Sequence, residues 1–215
     1  MTLDGVVEAP EAWYVQFADD EMHAVLAARM ADEDTMLLGR RTYEEFARAW
    51  PESASPFAGH MNETPKIVVS ETLADVVWQN STVIDEPIAQ QLPKLKRREG
   101  GNIAVTGSVT LVQSLLLHGL IDELRLLVHP VVIGRGRRLV ASTLAPAAFD
   151  LVRADALSSG VLDLVYAPRP RDLWETKTAL RRPFHICADG CTAPEPMSLS
   201  AQAGRRQYMS VERSI

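Results

Sequence analysis

Two short stretches of the chain place a glycine at the polar start of a helix: Leu37-Leu38-Gly39-Arg40-Arg41-Thr42 and Val105-Thr106-Gly107-Ser108-Val109-Thr110. The first amides of a helix have no partner within it and sit at the positive end of its dipole, so such a turn binds phosphate. Gly39 lets the backbone come close to a bound group, and Arg40 or Arg41 adds a cation for charge-assisted hydrogen bonds. Gly107 and Ser108 repeat the arrangement one strand later, with Val109 and Thr110 opening the second helix. Each turn taken alone also has a plainer reading: a surface arginine pair in the first case, a capped helix in the second.

Those turns need strands behind them and helices ahead. The apolar runs 35–39 and 102–107 read as strands, and 41–50 has helical spacing that stops before Pro51. Ser108 is placed to cap a helix whose apolar face is Leu111, Val112, Leu115 and Leu116, closing at His118-Gly119. A third strand, 66–70, is rich in β-branched residues and ends on Ser70. Around these, the pattern predicts a helix capped by Asp19-Asp20 with Met22, Val25, Leu26 and Met30 on one face. It also predicts a helix over 56–62, a strand pair at 76–78 and 81–84, and a basic helix over 89–98. The run 123–133 reads as one long strand carrying Pro130, and 148–157 with 161–167 as a hairpin. The class is α/β: a mostly parallel central sheet with helices on both faces, closed by a C-terminal antiparallel hairpin.

Composition limits the function classes. A net charge of -6 argues against a nucleic-acid surface, and no apolar run is long enough to span a membrane, so the expected location is the cytoplasm. The N-terminal residues lack the basic start and long apolar run of a signal peptide. Residues 1–167 read as one domain; 168–215 have no period and scattered Pro and Gly, and are expected to be a disordered tail. The cysteines, Cys187 and Cys191, both fall in that tail. With His185 they lack a fourth ligand at regular spacing, so no metal is expected.

Four segments in order, 2–10, 37–46, 65–73 and 105–116, together with 130–139, resemble the dihydrofolate reductase superfamily. The resemblance is to the branch containing the C-terminal reductase domain of riboflavin biosynthesis, and it covers about 1–167. It implies the three-layer α/β fold of that superfamily and a cofactor bound by Gly39, Arg40, Arg41, Thr42, Ser70, Gly107, Ser108, Val109 and Thr110. Ser70 matches the position where the branch sets a hydroxyl near the adenosine phosphate; by itself it is a turn former. Leu3, Asp4 and Gly5 match the segment that lines the substrate and nicotinamide pocket, and Trp13 follows on the loop that would cover a flat heterocycle. The chain meets this motif at Met1 with almost none of the apolar strand that relatives carry before it, so the first strand is expected to be cut short.

The implied reaction is hydride transfer from NADPH to a pterin-like or 5-amino-6-(5-phosphoribosylamino)uracil-like heterocycle, with the cofactor supplying the hydride. The arginine pair favours NADPH over NADH because a 2′-phosphate calls for cations. A water held near Asp4 is the expected proton donor. The competing expectation is a non-catalytic nucleotide-binding or interaction protein that retains the fold. Relatives of this branch pair subunits through the sheet, and the apolar strand at 124–133 is expected to form a homodimer interface.

Overall fold

The run Met36-Leu37-Leu38 sets three apolar side chains on alternating faces of a strand, and all three are completely buried. That fixes β1 (Glu33–Gly39) as the middle of a sheet covered on both sides. In the computed structural model, which describes residues 1–73, 75–140 and 146–169, β1 pairs in parallel with β2 (Lys66–Val69) and β4 (Asn102–Val105). β3 (Ser81–Ile84) extends the sheet beyond β2, giving the order β3-β2-β1-β4.

Met36 and Leu38 face one core with Tyr43 of α2 (Arg40–Ala49), Met61 of α3 (Ala58–Glu63), Val68 and Trp78. Leu37 faces the other, built with Ile88 and Leu92 of α4 (Ile88–Leu95) and Leu111 and Leu115 of α5 (Val109–His118). Three layers follow directly from that alternation.

β5 (Leu124–Val128), β6 (Phe149–Ala156) and β7 (Leu162–Pro168) form a separate antiparallel sheet in the order β5-β7-β6. The expected hairpin is therefore two strands of a three-stranded sheet. α1 (Asp20–Ala31) starts where Asp19 accepts a 2.8 Å bond from the Met22 amide. Its Met22 packs with Leu157 and Val161 against this sheet, while Met30 reaches the first core.

The first residues contribute a fragment of ladder. Thr2 bridges His129 in parallel and Val6 bridges Arg138 in antiparallel sense. The Leu3 amide donates to Val131 O at 2.9 Å and the Val7 amide to Arg137 O at 2.9 Å. This short segment ties the 131–139 loop to the sheet.

Several sequence expectations are corrected. Residues 76–78 do not form a strand, because their amides have another acceptor: the Tyr43 hydroxyl takes 2.9 Å bonds from both Val77 and Trp78. The strand expected over 123–133 stops at Val128, since Pro130 has no amide to continue a ladder and the Val131 amide turns back to His129 O at 2.7 Å. The helix expected over 89–98 runs from Ile88 to Leu95. The tail, with His185, Cys187 and Cys191, lies outside the described residues from 170 onward. Among the described residues no helix is long and apolar enough to cross a membrane.

Lys66 opens β2 and is 1 % exposed. Its ammonium donates to Asn62 O at 2.9 Å, Thr64 O at 2.7 Å and Gln79 O at 3.3 Å, and lies 4.3 Å from the centre of the Trp78 ring. Burial pushes its pKa down to about 8. The cation is tolerated inside because it gathers carbonyls at the end of α3 and an aromatic face.

Candidate cofactor site

The strand order reverses direction between β1 and β4, and ligands of open parallel sheets bind outside the carboxyl ends of the strands at such a point. Here β1 ends at Gly39 and runs straight into α2, while β4 turns at Gly107 into α5. Between the two helix starts is a cavity of about 530 Å³. Gly39, Arg40, Arg41, Thr42, Gly107, Ser108, Val109 and Thr110 all line it, so both sequence motifs meet at one place.

The local geometry explains how. Gly39 is the N-cap of α2 and offers no side chain, which leaves the first amides of the helix for a bound group. Ser108 is the N-cap residue of α5, as expected, but its side chain makes no capping bond. Its hydroxyl oxygen instead accepts a 2.8 Å bond from the Gly39 amide, tying one turn to the other. Gly107 has φ +69°, and a Cβ there would come within 3.0 Å of Thr42 Cγ2 and 3.4 Å of Phe46 Cζ. A lone glycine thus lets the β4–α5 turn close on α2.

Arg137, which was not among the residues singled out from the sequence, closes the cavity from a third side. Its segment is held by the Arg137 amide donating to Glu8 Oε2 at 2.8 Å and by Gln113 Nε2 donating to Arg138 O at 3.2 Å and Leu139 O at 3.0 Å. Its sequence signal is the basic run 134–138, which lies within the 130–139 segment of the resemblance but carries no helix start to mark a binding residue. Three arginines and no carboxylate line this cavity. Arg40 also makes a 3.0 Å ion pair with Glu44 one turn along α2.

A second cavity of about 510 Å³ continues from the first, sharing Arg40, Val69, Ile88 and Ser114. Ser70 lies on its wall. The Ser70 hydroxyl oxygen accepts from the Thr72 amide at 3.2 Å and the Leu73 amide at 3.0 Å, so it forms a turn, the plainer of its two readings. Glu71, Asp85 and Glu86 line the same cavity. The residues after β3 on this wall were not singled out because β3 carries no motif next to a turn or helix start.

The expected substrate residues lie elsewhere. Leu3, Asp4, Gly5 and Trp13 line neither cavity. Asp4 accepts hydrogen bonds from the Thr2 hydroxyl at 2.7 Å, the Gly134 amide at 2.8 Å and the Ile133 amide at 3.3 Å, and Arg138 Nε donates to its carbonyl at 2.8 Å. The Thr2 hydroxyl foremost, then the Gly134 and Ile133 amides, hold its carboxyl at a pKa of about 2. Gly5, at φ +81°, brings the chain past Arg138. Trp13 is buried, donates from Nε1 to Glu8 O at 3.0 Å, and meets the His129 ring edge-on at 5.1 Å. Its ring faces protein. Among the described residues there is no cluster of metal-binding side chains.

A family model described as "RibD C-terminal domain" matches residues 1–162. An uncharacterized Bacillus subtilis (strain 168) protein, YyaP, is 28% identical over 178 residues, covering 77% of this chain and 90% of its own. A Shewanella sp. PV-4 protein named for riboflavin biosynthesis has the same fold, with a TM-score of 0.66 and 18% identity over 79% of this chain and 96% of that one. A Thermotoga maritima diaminohydroxyphosphoribosylaminopyrimidine deaminase/5-amino-6-(5-phosphoribosylamino)uracil reductase superposes with a TM-score of 0.54 and 16% identity, covering 78% of this chain and 54% of that one.

Proposed function

Because the chain belongs to the RibD C-terminal domain family, we propose that it is a reductase that binds NADPH along the two joined cavities. The carrying observation is the convergence of two helix starts, α2 and α5, on one arginine-lined cavity at the reversal point of the sheet. Free amides of α2, the Ser108 turn and Arg137 suit a pyrophosphate, and Arg40 with Ser70 suits the 2′-phosphate. The dihydronicotinamide supplies a hydride to a C=N or C=O group of a pterin-like or ribosylaminopyrimidine-like heterocycle.

The substrate side is the Arg137 end of the groove, since Arg138 next to it contacts Asp4 and Gly5. Asp4 remains a carboxylate at neutral pH. Its part is therefore to hold the 131–139 segment in place and to accept a hydrogen bond from the substrate or from the water that gives the proton. A second reading, a nucleotide-binding protein without turnover, draws support from the same fact: every oxygen of Asp4 already has a partner within the chain.

Fluorescence titration of the full chain with NADPH, followed by NADPH oxidation with a series of pteridine and pyrimidine substrates, separates these readings. Oxidation with any of them supports the reductase. Binding without oxidation by all of them leaves the non-catalytic reading, and no binding removes both.

A further inference from the structure

We propose that Glu71 and Asp85 are specificity determinants at the adenosine end of the groove, opposing Arg40 so that the chain accepts NADH as well as NADPH. The inference rests on the cofactor reading above and goes beyond it to the selection between the two dinucleotides.

The groove has a direction. Its first cavity borders the segment that leads to Asp4 and Gly5, so the reacting ring belongs there and the adenosine half belongs in the second cavity. The charges of the two are opposite in sign. Arginines without carboxylates line the first, whereas three carboxylates line the second with Arg40 on the shared wall.

Not all three carboxylates are equal. Glu86 is 3.6 Å from Lys94 Nζ and accepts from Gln91. Among the described residues no cation pairs with Glu71 or Asp85.

The fold sets these two side by side. Val69 and Ile84 are register partners at the ends of parallel strands, and the Ser70 amide donates to Ile84 O at 3.1 Å. Glu71 and Asp85 then leave adjacent strand ends together, Glu71 on the turn that the Ser70 hydroxyl fixes. A carboxylate at such a strand end accepts hydrogen bonds from the ribose hydroxyls of an unphosphorylated dinucleotide, whereas a 2′-phosphate brings like charge to it. Arg40 offers a counter-charge already shared with Glu44. The result is weaker discrimination than Arg40 alone would give.

The test is the ratio of NADPH to NADH affinity, by fluorescence titration at low salt, for the full chain and for Glu71→Gln with Asp85→Asn. Both substitutions are isosteric and at exposed positions, and a thermal melt checks the fold. The ratio should rise about three- to tenfold when the two charges are removed. Glu86→Gln, whose charge Lys94 already offsets, should move it less than twofold. A ratio unchanged in the double variant, with both cofactors still binding, overturns the inference and leaves the cofactor reading standing. Binding of neither cofactor by either protein overturns both.

Discussion

At the scale of single residues, the arginines around the groove have separable roles. Arg40 and Arg41 open α2 on the wall of the first cavity, and replacing both with alanine should weaken NADPH binding much more than NADH binding, by about 1–3 kcal/mol for partly exposed charge-assisted contacts. Equal losses would show that the pair acts on the helix alone. Arg137 faces the same cavity, where the proposed binding mode would put the pyrophosphate common to both cofactors, so Arg137→Ala should weaken both alike. Asp4 makes a pH prediction. Its folded pKa of about 2 is below the ordinary 3.8, so its contribution is fully present above about pH 4 and is lost as the pH falls through 2. Protection of the Ile133 and Gly134 amides, taken relative to their intrinsic exchange rates at each pH, should fall across that window, and Asp4→Asn should abolish that change in protection. A loss of protection that persists in Asp4→Asn would assign the change to another group. The two glycine turns were legible in the sequence because each joins an apolar run to helical spacing. Arg137 and the burial of Trp13 were not, because both depend on where the 131–139 loop folds back.

At the scale of elements, the two glycine turns are one unit. The Gly39 amide to Ser108 bond joins them, and Gly107 lets them approach. Gly107→Ala forces a side chain into the left-handed region at about 1–2 kcal/mol and presses on Thr42 at the start of α2. It should lower both stability and cofactor affinity, read from a melt and a titration on the same sample; affinity unchanged in a folded variant would separate the turn from the site. Lys66→Met removes the donor to three carbonyls that are otherwise without that partner, and should cost about 1–3 kcal/mol in denaturant unfolding. No change in midpoint would show that the cation contributes nothing net. Strands β1, β2 and β4 were readable from short apolar or β-branched runs next to turn residues. The loss of the strand at 76–78 was not readable, because a tyrosine hydroxyl more than thirty residues away in sequence takes its amides. Lys66 gave no sign of burial either: a lysine at the start of a strand is ordinarily solvated, and its carbonyl partners come together only in the fold.

At the scale of the whole molecule, the α/β class and the mostly parallel sheet followed from the alternation of strand and helix patterns, whereas the order β3-β2-β1-β4 is set by the fold. The division into two sheets did not, because the hairpin strands and β5 had no sequence feature that tells one sheet from two. The proposed homodimer through 124–133 draws on the edge of β5 at Leu124–Leu126, which pairs with no strand among the described residues. It predicts a scattering mass of two chains, split into folded monomers by Leu126→Lys and preserved by Leu151→Lys on β6. β6 is nonetheless exposed along most of its length, with Leu151 at 56% and Val152 at 62%, and splitting by Leu151→Lys alone would move the interface there. A monomer at micromolar concentration contradicts the dimer altogether. Calorimetric titration of the full chain with NADPH decides whether the α2 and α5 starts together form a dinucleotide site. Saturable binding at one site per chain is expected, weakening with added salt and reduced about fivefold or more in Arg40→Ala/Arg41→Ala. No saturable binding by the intact, folded chain contradicts it.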